Sequence, residues 1–190
     1  MTEPDYTQFY DLEGYLFGEV SQRFQHDKQL SAFDFFCIVV WKANRSKSKV
    51  ARRLLAQGHR DLNSAIKAVA QDLDNAADRK GRLAALIEDW GFRLPMASAI
   101  LAVLYPDEFT VYDARVCEVL RDFADAQYKK FDELWARYEQ YIERVRNEVP
   151  GKVTLREKDR YLWGKSFESQ LRREIRACFG TGVDDSELEA

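Results

Sequence analysis

The stretch from Gly91 to Val116 constrains the fold of this chain more than any other. A helical pattern ends at Gly91, a short hairpin turns the chain, and Pro95 opens a small apolar helix. Proline suits the first turn of a helix, because the N–H that it lacks has no partner there. A Pro-Asp pair then ends that helix, and Asp113, a good N-cap residue, opens another helix. The stretch predicts two helices joined by a hairpin, followed by a capped third.

Apolar residues recur at helical spacing along almost the whole chain, and no segment alternates in the manner of a β-strand. The sequence therefore predicts an all-α protein. Ser31, Ser46 and Asp61 are residue types that cap helix N-termini. The predicted helices cover approximately residues 6–25, 33–41, 47–57, 62–73, 75–90, 95–104, 114–123, 131–145 and 156–179.

These helices predict one compact unit over residues 1–180 with two lobes. One lobe, residues 30–123, contains the hairpin, and the other joins residues 1–29 to residues 124–180. An active-site cleft would lie between them. Residues 181–190 form an acidic tail that we expect to be disordered.

The order of elements from Gly91 to Asp113 resembles the helix-hairpin-helix DNA glycosylase superfamily. Members of that family hold the DNA backbone with the hairpin and attack a flipped-out nucleotide with an aspartate. Ala97 falls on the small residue that opens the helix after the hairpin, and Asp113, sixteen positions later, falls on the catalytic aspartate. The resemblance implies base excision, in which Asp113 stabilises the sugar cation and positions water, and it leaves open DNA repair, defence against modified foreign DNA and another use of base removal. The alternative for Asp113 is use as a helix cap alone, and the two uses are compatible.

Two departures from the family pattern qualify this resemblance. Pro95 stands where bifunctional members carry a lysine nucleophile, and no lysine lies between Lys80 and Lys129. The resemblance therefore implies a monofunctional hydrolase that leaves an abasic site in an intact strand. Arg93 replaces the second hairpin glycine, and Gly91 remains. We expect both residues to contact phosphate, with a purely structural turn as the alternative.

A second similarity to the same family lies in residues 33–50, where a polar start, a buried helix and a polar turn lead into the next helix. Ala43 and Asn44 occupy the place of the family's Ser-Ala-Gln-type turn. The glutamine of that turn helps to fill the hole left by the flipped base, so Asn44 is a shorter counterpart and a candidate DNA contact. Its alternative use is to cap the following helix. The two similarities together span about residues 30–123.

The distribution of charge indicates DNA as the partner more than the net charge does. A net charge of −3 argues against generic nucleic-acid binding, because affinity for DNA depends largely on neutralising phosphates. Residues 35–60, however, contain no Asp or Glu, and a local basic patch can bind a backbone by itself. The alternative is a solvated helix face. The basic residues of this stretch are Lys42, Arg45, Lys47, Lys49, Arg52, Arg53 and Arg60, and the first four are our candidate DNA contacts.

Two aromatic residues are candidates for the wall of a base pocket: Tyr112, next to Asp113, and Trp41, at the end of the second predicted helix. Large aromatic side chains are more often part of the core, which is the stronger alternative for both. The last predicted helix carries a second basic cluster, from Arg156 to Lys165, which acidic neighbours interrupt. We expect that cluster to be a solvated face. The apolar stripe of this last helix needs other helices to pack against. The first helix and the helix over residues 131–145 are the best candidates.

The sequence indicates no cofactor. Cys37, Cys117 and Cys178 are isolated, whereas an iron–sulfur cluster needs four closely spaced cysteines. His26 and His59 have no carboxylate at ligand spacing, so we expect no zinc or other metal site.

The chain also shows no sign of membrane insertion. Its longest apolar run is far shorter than the roughly 20 residues of a spanning helix, and its first residues are unlike a secretory signal. We therefore expect a cytoplasmic protein. Two other functions remain open: a catalytically inert relative that holds DNA or a protein partner, and a scaffold with no nucleic-acid role.

Overall fold

The computed structural model describes residues 6–152 and 154–179. Across them it contains helices and turns and no β-strand, which confirms the all-α prediction for that part of the chain. The predicted acidic tail lies outside the described residues. The α-helices are α1 (Leu12–Tyr15), α2 (Ser21–Asp27), α3 (Ala32–Ala43), α4 (Lys47–Leu55), α5 (Leu62–Asn75), α6 (Arg79–Ala84), α7 (Leu94–Leu104), α8 (Ala114–Leu120), α9 (Phe131–Glu148) and α10 (Leu155–Phe179).

The N-terminal region departs from the single helix that periodicity predicts over residues 6–25. A 3-10 turn, Tyr6–Phe9, ends before α1, and a π-helical turn, Leu16–Val20, joins α1 to α2. The Asp11 side chain caps α1, because its Oδ1 accepts from the Gly14 N–H at 3.0 Å. A Cβ at position 14 would lie 2.4 Å from Asp11 Oδ2, so the glycine leaves room for the cap.

Two of the three predicted caps are confirmed. Ser31 Oγ accepts from the Asp34 N–H at 3.0 Å, and Asp61 forms a reciprocal capping box with Ser64. The prediction that Ser46 caps α4 is wrong, since its side chain makes no cap hydrogen bond among the described residues. Ser46 already has helical backbone angles at the end of a 3-10 turn, Asn44–Ser46, whereas an N-cap requires an extended backbone.

Helix α7 lies at the centre of the core. Every residue from Ala97 to Leu104 is buried, as expected for a helix that is apolar on all sides. Helices α2, α3 and α6 pack around it. The hairpin therefore leads into a helix that is held by the core, and the segment from Tyr105 to Asp113 follows that same helix.

Helix α10 packs mainly against α8 and also against α9. The prediction that α9 packs against α10 is confirmed. The spacing of the apolar residues along α10 gave no indication that α8 packs there as well. The first helix joins α10 through ion pairs from Glu13 to Arg156 and Arg160. Within the described residues, no helix is long and apolar enough to cross a membrane.

Candidate functional site

Asp113 is the N-cap of α8 and also forms an ion pair. Its Oδ1 accepts from the Arg115 N–H at 3.0 Å, and its Oδ2 accepts from Lys42 Nζ at 2.7 Å. The side chains of Asp113 and Lys42 are 24% and 13% exposed, so the pair is partly shielded from water. The structure thus combines the cap with a charged contact that local sequence gives no sign of.

The segment that carries Asp113 is held by three hydrogen bonds from the core. Tyr138 and Tyr141 of α9 donate their hydroxyls to the carbonyls of Thr110 and Val111, at 2.6 and 2.9 Å. Ser98 Oγ of α7 accepts from the Tyr112 N–H at 2.9 Å. Burial raises the pKa of Tyr138 and of Tyr141 well above the usual range, so both stay protonated as donors. Asp113 therefore extends from a fixed backbone.

A cavity of about 610 Å³ opens beside the Asp113–Lys42 pair. That volume lies within the range of small-molecule sites. Four parts of the chain contribute its walls: α1, the end of α3, the segment that enters α8, and α10. The lining residues are Glu13, Trp41, Lys42, Val111, Asp113, Arg115, Arg156, Asp159, Arg160 and Trp163.

In the basic cluster of α10, Arg160 and Lys165 are exposed as predicted, whereas Arg156 lies in the cavity wall next to a buried aspartate. Asp159 is buried and Arg156 nearly so, with 3% and 19% of their side chains exposed, and the two are ion-paired. Arg156 also pairs with Glu13 at 2.9 Å, and its guanidinium lies 5.0 Å from the centre of the Trp41 ring. Charge spacing along α10 does not reveal that Arg156 contacts Glu13 of α1 and Trp41 of α3.

Burial raises the pKa of Asp159 to about 6. The positive charges of Arg156 and Lys42 limit that rise, and the charge of Asp113 adds to it. Three carboxyl groups therefore line the cavity, those of Glu13, Asp113 and Asp159. Asp113 is paired with Lys42 and partly exposed, whereas Asp159 is paired with Arg156 and almost fully buried.

Aromatic side chains flank the mouth of the cavity. Trp163 and Phe167 stack nearly parallel, with ring centres 5.5 Å apart, and both side chains are about half exposed, at 42% and 43%. The Arg115 guanidinium lies 5.3 Å from the Trp163 ring and donates to Gln170 Oε1 at 2.6 Å. A planar, electron-rich surface next to a cation suits a flat aromatic ligand.

The two candidates for a base pocket separate in the structure. Trp41 lines the cavity and packs against Ala99, Ala102 and Val111. Tyr112 is a core residue, 2% exposed, whose hydroxyl donates to the Phe123 carbonyl at 2.7 Å. Tyr112 therefore has the core position that is the more common one for a large aromatic residue, and its ring is shielded from solvent.

The hairpin breaks the helices as the sequence predicts. Gly91 has φ of 66°, a left-handed conformation that favours glycine, and Arg93 is exposed at the N-cap of α7. Helix α4 and the turn after it hold the hairpin, because Arg53 donates to the Gly91 carbonyl and Gln57 donates to the Asp89 carbonyl, the latter at 3.0 Å. Arg53 was grouped with the basic patch by sequence, and the structure shows it bound to the hairpin backbone.

At the other end of the basic run, the side chains also differ in their exposure. Arg45, Lys47 and Lys49 are exposed, and Lys47 Nζ donates to Asn44 Oδ1 at 2.9 Å. Lys42, which the sequence assigns to the same DNA-contacting set, instead points into the cavity toward Asp113. Lys42 is therefore ion-paired in the cavity wall, whereas Arg45, Lys47 and Lys49 are exposed.

The described residues, 6–152 and 154–179, contain no group of three His, Cys, Asp or Glu side chains that could hold a metal ion. Comparison of the chain with models of protein families, with curated proteins and with solved structures finds no match. What the protein does is therefore inferred from its own residues.

Proposed function

We propose that this protein is a monofunctional DNA N-glycosylase of the two-lobed helix-hairpin-helix type, which removes a modified or damaged base. The observation that carries the proposal is the Asp113 carboxylate, which is fixed by the α8 amide and by Lys42 at the edge of a cavity. A negative charge on a rigid segment can stabilise a positive charge that develops close to it.

In the proposed reaction the target base leaves the duplex and enters the cavity, where Trp41 and Trp163 offer aromatic walls. The C1′–N bond breaks, and its electron pair goes to the base. Asp113 stabilises the sugar cation and orients the water that adds to C1′. The water proton passes to the carboxylate or to solvent, the departing base takes up one proton, and the products are a free base and an abasic site.

Lys42 supplies the counter-charge for Asp113 in this scheme. An ammonium group that donates to a carboxylate at 2.7 Å has no free electron pair for attack on C1′. Together with Pro95 at the position of the family lysine, this supports hydrolysis without strand cleavage.

Contact with the DNA backbone would come from the hairpin and from the exposed part of the basic run. Gly91 and Arg93 are exposed at the start of α7, and Lys47 and Lys49 are exposed on α4, which holds the hairpin. Because each phosphate contact releases counterions, replacing Arg93 or Lys47 should weaken binding and reduce its dependence on salt.

The experiment that tests the proposal is base release from a panel of duplexes that carry modified bases, with alkaline cleavage to reveal abasic sites. We expect release by the wild type and its loss in Asp113→Asn. Asp78→Asn is a matched control, because Asp78 also caps a helix and accepts from the Gly81 N–H at 2.7 Å. Strand cleavage without alkali, with borohydride trapping that depends on Lys42, would contradict the monofunctional assignment.

A second candidate is a catalytically inert relative that holds DNA through the same hairpin. The replacement of a hairpin glycine by Arg93 and the net charge of −3 favour it. Salt-sensitive DNA binding that weakens in Arg93→Ala and Lys47→Ala, without release of any base on the panel, would favour this candidate over the enzyme.

A further inference from the structure

The cavity contains a second aspartate that the proposed reaction has not used. Asp159 of α10 lines the same cavity as Asp113, yet only 3% of its side chain is exposed, against 24% for Asp113. It follows that a ligand in the cavity can contact both groups and that each group meets a different solvent environment.

Charged and titratable groups from four elements face Asp159. Arg156 of its own helix is ion-paired with it, and Lys42 of α3 and Asp113 at the start of α8 act on it through their charges. The charge of Asp159 also acts on the tyrosine pair of α9. Desolvation is the largest influence and raises the pKa of Asp159 to about 6. A carboxyl group in that range retains its proton in a useful fraction of molecules near neutral pH and can act as an acid.

We propose that Asp159 is the general acid of the reaction and donates its proton to the leaving base, while Asp113 stabilises the sugar. The inference rests on the proposed function. As the C1′–N bond breaks, its electron pair moves onto the base, and a ring nitrogen or a carbonyl oxygen of the base takes the Asp159 proton. Water adds to C1′ and loses one proton, and the Asp159 carboxylate regains a proton from solvent.

This assignment defines the class of substrate. A neutral base without electron-withdrawing groups is a poor leaving group and gains from protonation, whereas a cationic or electron-poor base leaves readily without it. Asp159 therefore fits a protein that removes neutral modified bases. Proton donation by a positioned acid contributes typically 10²- to 10⁴-fold to the rate.

The test compares two duplexes in single-turnover base release: one with a neutral base that the wild type accepts, and one with a ring-fluorinated analogue of that base. We expect Asp159→Asn to slow the neutral base by about 10²- to 10⁴-fold and the fluorinated base far less. The wild-type rate should fall as the pH rises above about 6, and the variant should lose that fall. Equal slowing of both bases, or an unchanged pH profile, would overturn the assignment and leave the proposed function intact.

Asp34→Asn is the control, because Asp34 is also a buried carboxyl group paired with an arginine, Arg23 at 2.9 Å, and does not line the cavity. We expect it to change both rates by the same small factor. An infrared titration of the free protein reads the Asp159 proton without any substrate. The wild type should show a buried carboxyl band that titrates near pH 6 and is missing in Asp159→Asn. Absence of that band would overturn the acid role, whereas its presence without any base release would count against the proposed function alone.

Discussion

Breaking the Lys42–Asp113 ion pair should destabilise the folded protein measurably. The two side chains are 13% and 24% exposed, and Nζ lies 2.7 Å from Oδ2. Exposed ion pairs contribute about 0.2–1 kcal/mol, and removing one partner of a buried pair costs about 3–5 kcal/mol. The exposure of this pair lies between these limits, so we expect a coupling free energy of about 1–3 kcal/mol.

A double-mutant cycle with Lys42→Met and Asp113→Asn, followed by urea unfolding, measures that coupling. Asparagine is as good an N-cap as aspartate, so the bond from the Arg115 N–H is retained and the cycle isolates the charge. The Lys80–Asp132 pair is the control, because it has the same residue types at 2.8 Å but side chains that are 44% and 86% exposed. Its coupling should be close to zero. A Lys42–Asp113 coupling no larger than that of the control would refute the reasoning.

Three further predictions concern stability. Tyr138→Phe leaves the buried Thr110 carbonyl without its donor and should lower the free energy of unfolding by about 1–3 kcal/mol in urea, whereas no change would show that the hydroxyl does not hold the segment before Asp113. Leu101→Ala removes a fully buried side chain of α7 and should cost about 2–5 kcal/mol in the same assay, and a smaller loss would contradict its central place in the core. Because the folded-state pKa of Asp159 is raised, its contribution to stability is greatest below its unfolded value and is lost as the pH rises through about 6. Asp159→Asn should therefore gain stability relative to the wild type between pH 4 and pH 7, and a constant difference would contradict the raised pKa.

Local signals in the sequence were enough to predict the elements that depend on neighbouring residues. Ser31 and Asp61 cap their helices because each cap needs only an amide three residues away. Gly91 and Pro95 define the hairpin through backbone preferences of single residues. Asp113 was predicted at the start of a helix because aspartate is a common N-cap residue.

The chemistry of the cavity could not be predicted in this way, because its residues meet only through packing. Lys42 and Asp113 are 71 positions apart, and the tyrosines that fix the segment before Asp113 lie almost 30 positions beyond it on α9. In the sequence Asp159 is one acidic residue of a charged helix, and only the packing of that helix makes it a buried group. The charged residues in the sequence identified the candidates for the site, and only the tertiary structure shows which of them are exposed to solvent.

The central claim is that Asp113 stabilises a positive sugar, and binding of a charged analogue tests it without knowledge of the target base. A duplex with a pyrrolidine in place of one nucleoside carries a cation at the sugar, and a tetrahydrofuran duplex is its neutral control. An enzyme binds a mimic of its transition state more tightly than a neutral ligand of the same shape. We predict that the wild type prefers the pyrrolidine duplex and that Asp113→Asn loses the preference, as measured by the ratio of the two Kd values. Equal Kd values for the wild type, or a preference that survives in Asp113→Asn, would contradict the account.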